Sequence, residues 1–150
     1  MNLKDFIRSI QDYPKKGILF RDITTLIKDE KAFSETINQI VEKYKKNKFD
    51  KIAAIESRGF VFASAVSYLL KKPFILLRKK NKLPGDTYSV DFELEYGTAT
   101  IEVHKDSINK KDSVLIIDDL IATGGTAEAA AQLIEISGGK VSAFIFVINL

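Results

Sequence analysis

Three unbroken apolar runs and a fourth interrupted only by Ser142, separated by helical patterns, constrain this chain more than any other feature of its sequence. Ile52-Ala53-Ala54-Ile55, Phe74-Ile75-Leu76-Leu77 and Val114-Leu115-Ile116-Ile117 each read as a strand without polar alternation, and Val141 to Ile148 reads as a fourth. Between them, Phe60 to Leu70 and about Thr126 to Ile136 read as helices, the second ending at Gly138-Gly139. A strand can be apolar throughout only when both its faces are covered. The pattern therefore predicts an α/β fold with a mostly parallel, Rossmann-like sheet flanked by helices. At 150 residues the chain has the length of a single domain, residues 1–150.

One stretch departs from this order. Between Arg78 and Lys111, Val90, Phe92 and Leu94 alternate with polar residues, then Ile101 and Val103 do, with Gly97 near the middle. This predicts an inserted antiparallel hairpin with one wetted side, a candidate lid. Upstream, the spacing of Leu3, Phe6, Ile7 and Ile10 predicts a short amphipathic helix, broken by Tyr13-Pro14-Lys15-Lys16-Gly17. Phe33, Ile37, Ile40, Val41 and Tyr44 share one face of a second helix, with Asp29 as its N-cap. The lysine-rich run from Lys43 to Lys51 suits the negative end of that helix, although a nucleic-acid patch would read the same way.

Composition excludes several chemistries. Without cysteine there is no disulfide framework, thiolate metal site or cysteine nucleophile, and the single histidine, His104, excludes a polyhistidine centre. Twenty-three cations against twenty anions leave a net charge of +3, a mild excess for a duplex binder. Nineteen of the cations are lysine, so Arg8, Arg21, Arg58 and Arg78 mark places where a planar, bidentate donor is needed. There is no apolar run long enough to span a membrane and no secretory h-region. These features predict a cytoplasmic protein without nucleic-acid or membrane partners.

In open α/β sheets, ligands bind beyond the carboxyl ends of the strands. The most informative end is Ile116-Ile117-Asp118-Asp119-Leu120-Ile121-Ala122-Thr123-Gly124-Gly125-Thr126. Two carboxylates are expected to leave the sheet, followed by hydroxyls and glycines just before a helix. Unpaired N–H groups at a helix start, with glycines that allow close approach, make a site for a phosphate monoester. The loop lacks the lysine of a nucleoside-triphosphate P-loop and also lacks G-x-G-x-x-G. A carboxylate pair beside a phosphate cradle fits a phosphorylated sugar, whose hydroxyls donate to the carboxylates. The plainer alternative is that Asp118 and Asp119 cap a turn that the glycines shape.

The Val114 to Thr126 stretch resembles the phosphoribosyl-pyrophosphate motif of type I phosphoribosyltransferases. Other segments are similar to those of the adenine phosphoribosyltransferase family, in the family's order and over nearly the whole chain. They are Tyr13-Pro14-Lys15-Lys16-Gly17-Ile18-Leu19-Phe20-Arg21-Asp22-Ile23-Thr24, Glu56-Ser57-Arg58-Gly59-Phe60, Arg78-Lys79 with Lys82-Leu83-Pro84-Gly85, and Leu94-Glu95-Tyr96-Gly97. The resemblance implies transfer of ribose 5-phosphate from phosphoribosyl pyrophosphate to adenine, giving AMP and pyrophosphate, in a homodimer. It implies Mg2+ bound through the substrate, without a dedicated protein cage.

The same resemblance implies roles for individual residues. Ala122, Thr123, Gly124, Gly125 and Thr126 would bind the 5-phosphate, and Asp118 and Asp119 the ribose hydroxyls, near the positive charge developing at the anomeric carbon. Glu56, Ser57, Arg58, Arg78, Lys79 and Lys82 would form the pyrophosphate side, with a cis peptide at Glu56-Ser57. For Lys79 and Lys82 a solvated loop is the alternative, and Lys80 reads as a solvated loop residue. Phe20 would stack on adenine while the backbone of Leu19 and Arg21 reads its edge; the alternative for Phe20 is core packing between Leu19 and Ile23. Glu95 would exchange a proton with the purine, or be an exposed hairpin charge, and Tyr96 would help the flap close. His104 reads as a surface histidine. The family continues past the strand that ends at Asn149-Leu150 and usually has glutamate where Asn149 stands. Two rival functions stay open: transfer to hypoxanthine or guanine, which the Tyr13 to Thr24 segment opposes, and a phosphoribosyl-pyrophosphate-sensing regulator that binds nucleic acid.

Overall fold

In the computed structural model, which describes residues 1–94, 97–121 and 125–149, the chain forms two compact units, Met1–Lys43 and Tyr44–Leu150. Among the described residues, no helix is long and apolar enough to cross a membrane.

The first unit begins with a single 3-10 turn, Leu3–Phe6, capped by the Asn2 side chain, which accepts the Lys4 N–H at 3.1 Å. Strand β1 (Arg8–Gln11) follows and pairs antiparallel with β2 (Leu19–Asp22), Ile10 facing Phe20. This corrects the helix expected over Leu3 to Ile10. The apolar spacing there is real but covers only two turns, too short for a helix to hold by itself. The Arg8–Asp22 pairing and the ladder to β2 offer the backbone a better use. The Tyr13-to-Gly17 segment is the hairpin turn, with Gly17 at φ 88° and its N–H on Asp12 Oδ1 at 2.7 Å. A four-residue helix α1 (Thr24–Ile27) leads to α2 (Glu30–Tyr44). Asp29 caps α2 as expected, its Oδ1 taking the Ala32 N–H at 2.8 Å.

Asp22 is buried between these pieces. Its carboxylate accepts the Thr24 hydroxyl (2.6 Å) and N–H (2.9 Å), and Arg8 Nε (2.9 Å) and Nη2. The hydrogen bonds from Thr24, then those from Arg8, hold its carboxyl down at about 2.

The second unit is built on a six-stranded sheet in the order β5-β6-β4-β3-β7-β8. Four strands are parallel: β3 (Lys51–Ile55), β4 (Phe74–Lys79), β7 (Ser113–Ile121) and β8 (Lys140–Asn149). Helices α3 (Arg58–Leu70) and α4 (Gly125–Ile136) supply the connections that parallel pairing requires. Ala53, Ile55, Ile75, Leu77, Val114 and Ile116 pack with Ala129, Ala130, Leu133 and Ile134 of α4 in one core. The alternate residues Ile52, Ala54, Leu115 and Ile117 are just as buried, which is why these strands read as continuous apolar runs.

The hairpin is present as β5 (Thr87–Leu94) and β6 (Gly97–His104), antiparallel to each other, with β6 antiparallel to β4. Val90, Ile101 and Val103 belong to the core with Leu133 and Ile134, so the base of the hairpin is an extension of the sheet. Strand β7 also runs further than expected. Asp118 and Asp119 do not leave the sheet but remain within the strand, because β8 continues beside them, Asp118 facing Phe146.

Candidate active site

The C-terminal ends of β3, β4 and β7 bring together Glu56, Arg58, Arg78, Asp118 and Asp119 among the expected polar residues. β3 ends at Ile55, and the chain passes through Glu56 and Ser57, joined by a cis peptide bond as the resemblance implied, into α3 at Arg58. Gly59 then lies against β7. A Cβ there would come within 3.0 Å of the Ile117 carbonyl oxygen and 3.3 Å of Asp118 Oδ1. A side chain there would require β7 to give by a few tenths of an ångström, so glycine suits the close start of α3 beside the strand carrying the carboxylates.

The two aspartates are not equivalent. Asp119 is buried, and its Oδ2 lies 2.8 Å from Arg58 Nε. Asp118 accepts the Asp119 N–H at 2.8 Å. Burial, followed by the hydrogen bond to and charge of Asp119, pushes the Asp118 carboxyl up to about 7. Arg58 opposes that rise. The pair therefore sets one carboxylate in an ion pair with Arg58 beside one whose carboxyl is raised by burial and by its neighbour.

Glu56 does not face outward as an anion. Its Oε1 accepts the Lys79 N–H at 2.7 Å and lies 3.2 Å from Arg78 Nε. The carboxylate thus aligns the cations at the end of β4 rather than opposing a bound anion. Ser57 is exposed, as are Lys79 and Lys82, which close a turn through the Lys82 N–H and the Lys79 carbonyl at 3.2 Å.

Of the expected phosphate cradle, Gly125 and Thr126 form the first positions of α4, while Ala122, Thr123 and Gly124 lie outside the described residues. Glu95 and Tyr96 lie outside them as well.

The residues assigned to adenine, Leu19, Phe20 and Arg21, are consecutive on β2 of the first unit. Leu19 is exposed, and Arg21 Nη1 donates to Ser9 Oγ at 2.6 Å. The Phe20 ring is half-buried and meets Tyr13 edge-on, with centroids 5.1 Å apart. It is not among the fully buried residues, to which Ile23 belongs.

Two contributors carried no role in the sequence reading. Gly59 is signalled only by its place after an arginine at a helix start. Glu102 lies in β6 between Ile101 and Val103 and is buried among hydrogen-bond donors from β5 and the β4–β5 connection. Its signal is the strand register, which a sequence does not display. The Nε2 of His104 donates to the Pro84 carbonyl at 2.6 Å.

Residues 23–149 match the family described as "Phosphoribosyl transferase domain". The chain is 81% identical, over all 150 residues, to an adenine phosphoribosyltransferase of Pelagibacter ubique, covering 86% of that protein. Its fold is similar to the crystal structure of adenine phosphoribosyltransferase from Thermoanaerobacter pseudethanolicus, with TM-score 0.94 and 48% identity over 98% of this chain and 86% of that one. It is also similar to the Saccharomyces cerevisiae enzyme complexed with an imino-altritol bisphosphate and adenine. There the TM-score is 0.92 and the identity 34%, over 99% of this chain and 86% of that one.

Proposed function

The chain belongs to the phosphoribosyl transferase family, and from that premise we infer that it transfers the 5-phosphoribosyl group of phosphoribosyl pyrophosphate to adenine, giving AMP and pyrophosphate. The observation that carries this reading is the meeting of the Asp118–Asp119 pair with Arg58, Arg78 and Glu56 at the carboxyl ends of three adjacent parallel strands.

In this reading the glycosidic carbon loses pyrophosphate as the adenine ring nitrogen bonds to it, and the nitrogen's proton leaves. The carbon becomes positively charged in between. Asp118 and Asp119 accept the ribose hydroxyls and place negative charge near that carbon, where a fixed field in a dry site is most effective. Gly125 and Thr126, with Ala122, Thr123 and Gly124, hold the 5-phosphate at the start of α4. Arg58 at the start of α3, with Arg78, Lys79 and Lys82, takes up the pyrophosphate, Glu56 keeping Arg78 and Lys79 in place. Phe20 stacks on adenine between the edge-reading backbones of Leu19 and Arg21. Glu95 exchanges the purine proton and Tyr96 helps the flap close.

Among the described residues no third histidine or carboxylate joins Asp118 and Asp119 to cage a metal ion; magnesium, which keeps its waters and binds mainly through substrate oxygens, would be held by way of the ribose that the pair binds. When bound, the ion offsets charge on the departing pyrophosphate. We also propose a homodimer working in the cytoplasm.

Pyrophosphate release in the presence of magnesium tests the reading. Adenine should support turnover, whereas hypoxanthine and guanine should not. Equal turnover with all three bases would overturn the adenine assignment, and binding of nucleic acid without any turnover would favour the regulator. Phe20→Ala should raise the KM for adenine roughly tenfold or more, since a base on an aromatic ring is worth about 1–3 kcal/mol. The KM for phosphoribosyl pyrophosphate should stay put; a loss of thermal stability alone would return Phe20 to a packing role.

A further inference from the structure

We propose that Glu102 is a positioning residue that holds the cationic segment Arg78–Lys82 in its pyrophosphate-binding geometry and ties that segment to the flap strand β5. The proposal rests on the pyrophosphate role inferred above for this segment. Glu102 is 9% exposed, and a buried carboxylate is costly unless its oxygens are satisfied. Both oxygens are. Oε1 accepts the Asn81 N–H at 2.9 Å, and Oε2 accepts the hydroxyls of Ser89 (2.7 Å) and Thr87 (3.1 Å) on β5.

Its place in the sheet explains why these groups converge. Glu102 faces Ser89 on one side and Arg78 on the other. Just beyond Arg78 the chain leaves the sheet: Lys80 N–H still reaches the Thr100 carbonyl at 3.2 Å, and Asn81 turns with φ 67°. Asn81 is the point at which the segment must reverse, and its N–H is the group that Glu102 holds.

The segment is thus gripped at two places by two carboxylates. Glu56, from the connection that carries Arg58, takes Arg78 Nε and the Lys79 N–H. Glu102, from the flap side, takes the turn. Arg78, Lys79, Lys80 and Lys82 repel one another and have long, entropy-rich side chains, so a backbone held only at its start would spread them. An acceptor-only group with two oxygens can take three donors at once, whereas an aliphatic residue at this position could take none. His104, two residues further along β6, adds a second tie to the same connection through Pro84.

Calorimetric titration with magnesium pyrophosphate, on the chain and on its Glu102→Ala and Glu102→Gln variants, tests this independently of turnover. Glu102→Ala should weaken binding about tenfold or more, because small displacements of fixed charges are costly. Glu102→Gln should retain most of the affinity, since its amide oxygen can accept the Asn81 N–H and the hydroxyls can rotate to accept from its NH2. In steady-state assays Glu102→Ala should raise the KM for phosphoribosyl pyrophosphate while the KM for adenine stays near the parent value. Unchanged pyrophosphate affinity, or equal shifts in both KM values, would overturn the proposal. Should Glu102→Ala fail to fold, Ser89→Ala removes one donor and should shift pyrophosphate affinity in the same direction by a smaller factor; no shift would count against the tie to β5. A parent chain that binds pyrophosphate but turns over no base refutes the transferase reading and leaves the role of Glu102 to be judged on binding. A parent chain that does not bind pyrophosphate refutes both.

Discussion

Asp119→Asn is expected to cut turnover about a hundredfold or more while costing little stability, the range seen when one preorganised electrostatic partner is lost. Asparagine fills nearly the same volume, so packing around β7 should hold. What disappears is the charge that fixes Arg58, 2.8 Å from Asp119 Oδ2, and that faces the developing positive charge on the sugar. Part of that field returns, because the Asp118 carboxyl is raised in part by Asp119 and should ionise more readily without it. The returned charge sits on the wrong side chain, though, and Arg58 is left to move. Its side chain is 40% exposed and can be hydrated, so the folding cost should stay below about 2 kcal/mol. Turnover measured by pyrophosphate release, beside the urea midpoint, decides the matter. Unaltered turnover would remove the ribose assignment of the pair.

Asp118→Asn should have the opposite signature on stability. An aspartate in the unfolded chain titrates near 3.8, whereas in the folded protein Asp118 is pushed up to about 7. Between about pH 4 and pH 7 the folded state keeps a proton that the unfolded state has released. This group therefore makes folding less favourable as pH rises through that window, and the deficit persists above pH 7. The asparagine variant has nothing to titrate and still accepts the Asp119 N–H through its amide oxygen. It should match the parent near pH 4 and exceed it by on the order of a few kcal/mol at pH 8, measured without magnesium. Turnover should fall all the same, because a carboxylate that binds ribose hydroxyls is gone. Asp22, held down at about 2, acts in the other direction: its contribution is present above about pH 4 and is lost toward pH 2. It is shared by both proteins, so the difference between their profiles isolates Asp118. Parallel profiles from pH 4 to 8 would show that Asp118 is not buried as a proton-holding group.

The strands β3, β4, β7 and β8 and the helices α3 and α4 were legible because their signal is local. A strand covered on both faces must be apolar residue by residue, and a helix between two such strands needs a start and a stop within a dozen positions. The hairpin was legible for the same reason, since alternation at Val90, Phe92, Ile101 and Val103 shows one face turned inward. The segment from Leu3 to Ile10 was not. Its apolar spacing served a helix as well as a strand, and the choice fell to Asp22, fourteen residues away, which binds Arg8. Asp118 and Asp119 looked like twins leaving the sheet; the length of β8 keeps both in the strand, and Arg58 tells them apart.

Residue order along the chain thus established the α/β layering, the family motifs and the kinds of group available at the strand ends. Which carboxylate is ion-paired, which has its carboxyl raised by burial, and that Glu102 accepts a hydrogen bond from a turn twenty-one positions earlier were settled by folding. The division has a physical cause. Backbone periodicity is set by near neighbours, whereas a titrating or charge-paired group answers to whatever burial and strand register bring within a few ångströms of it, however far away in the chain.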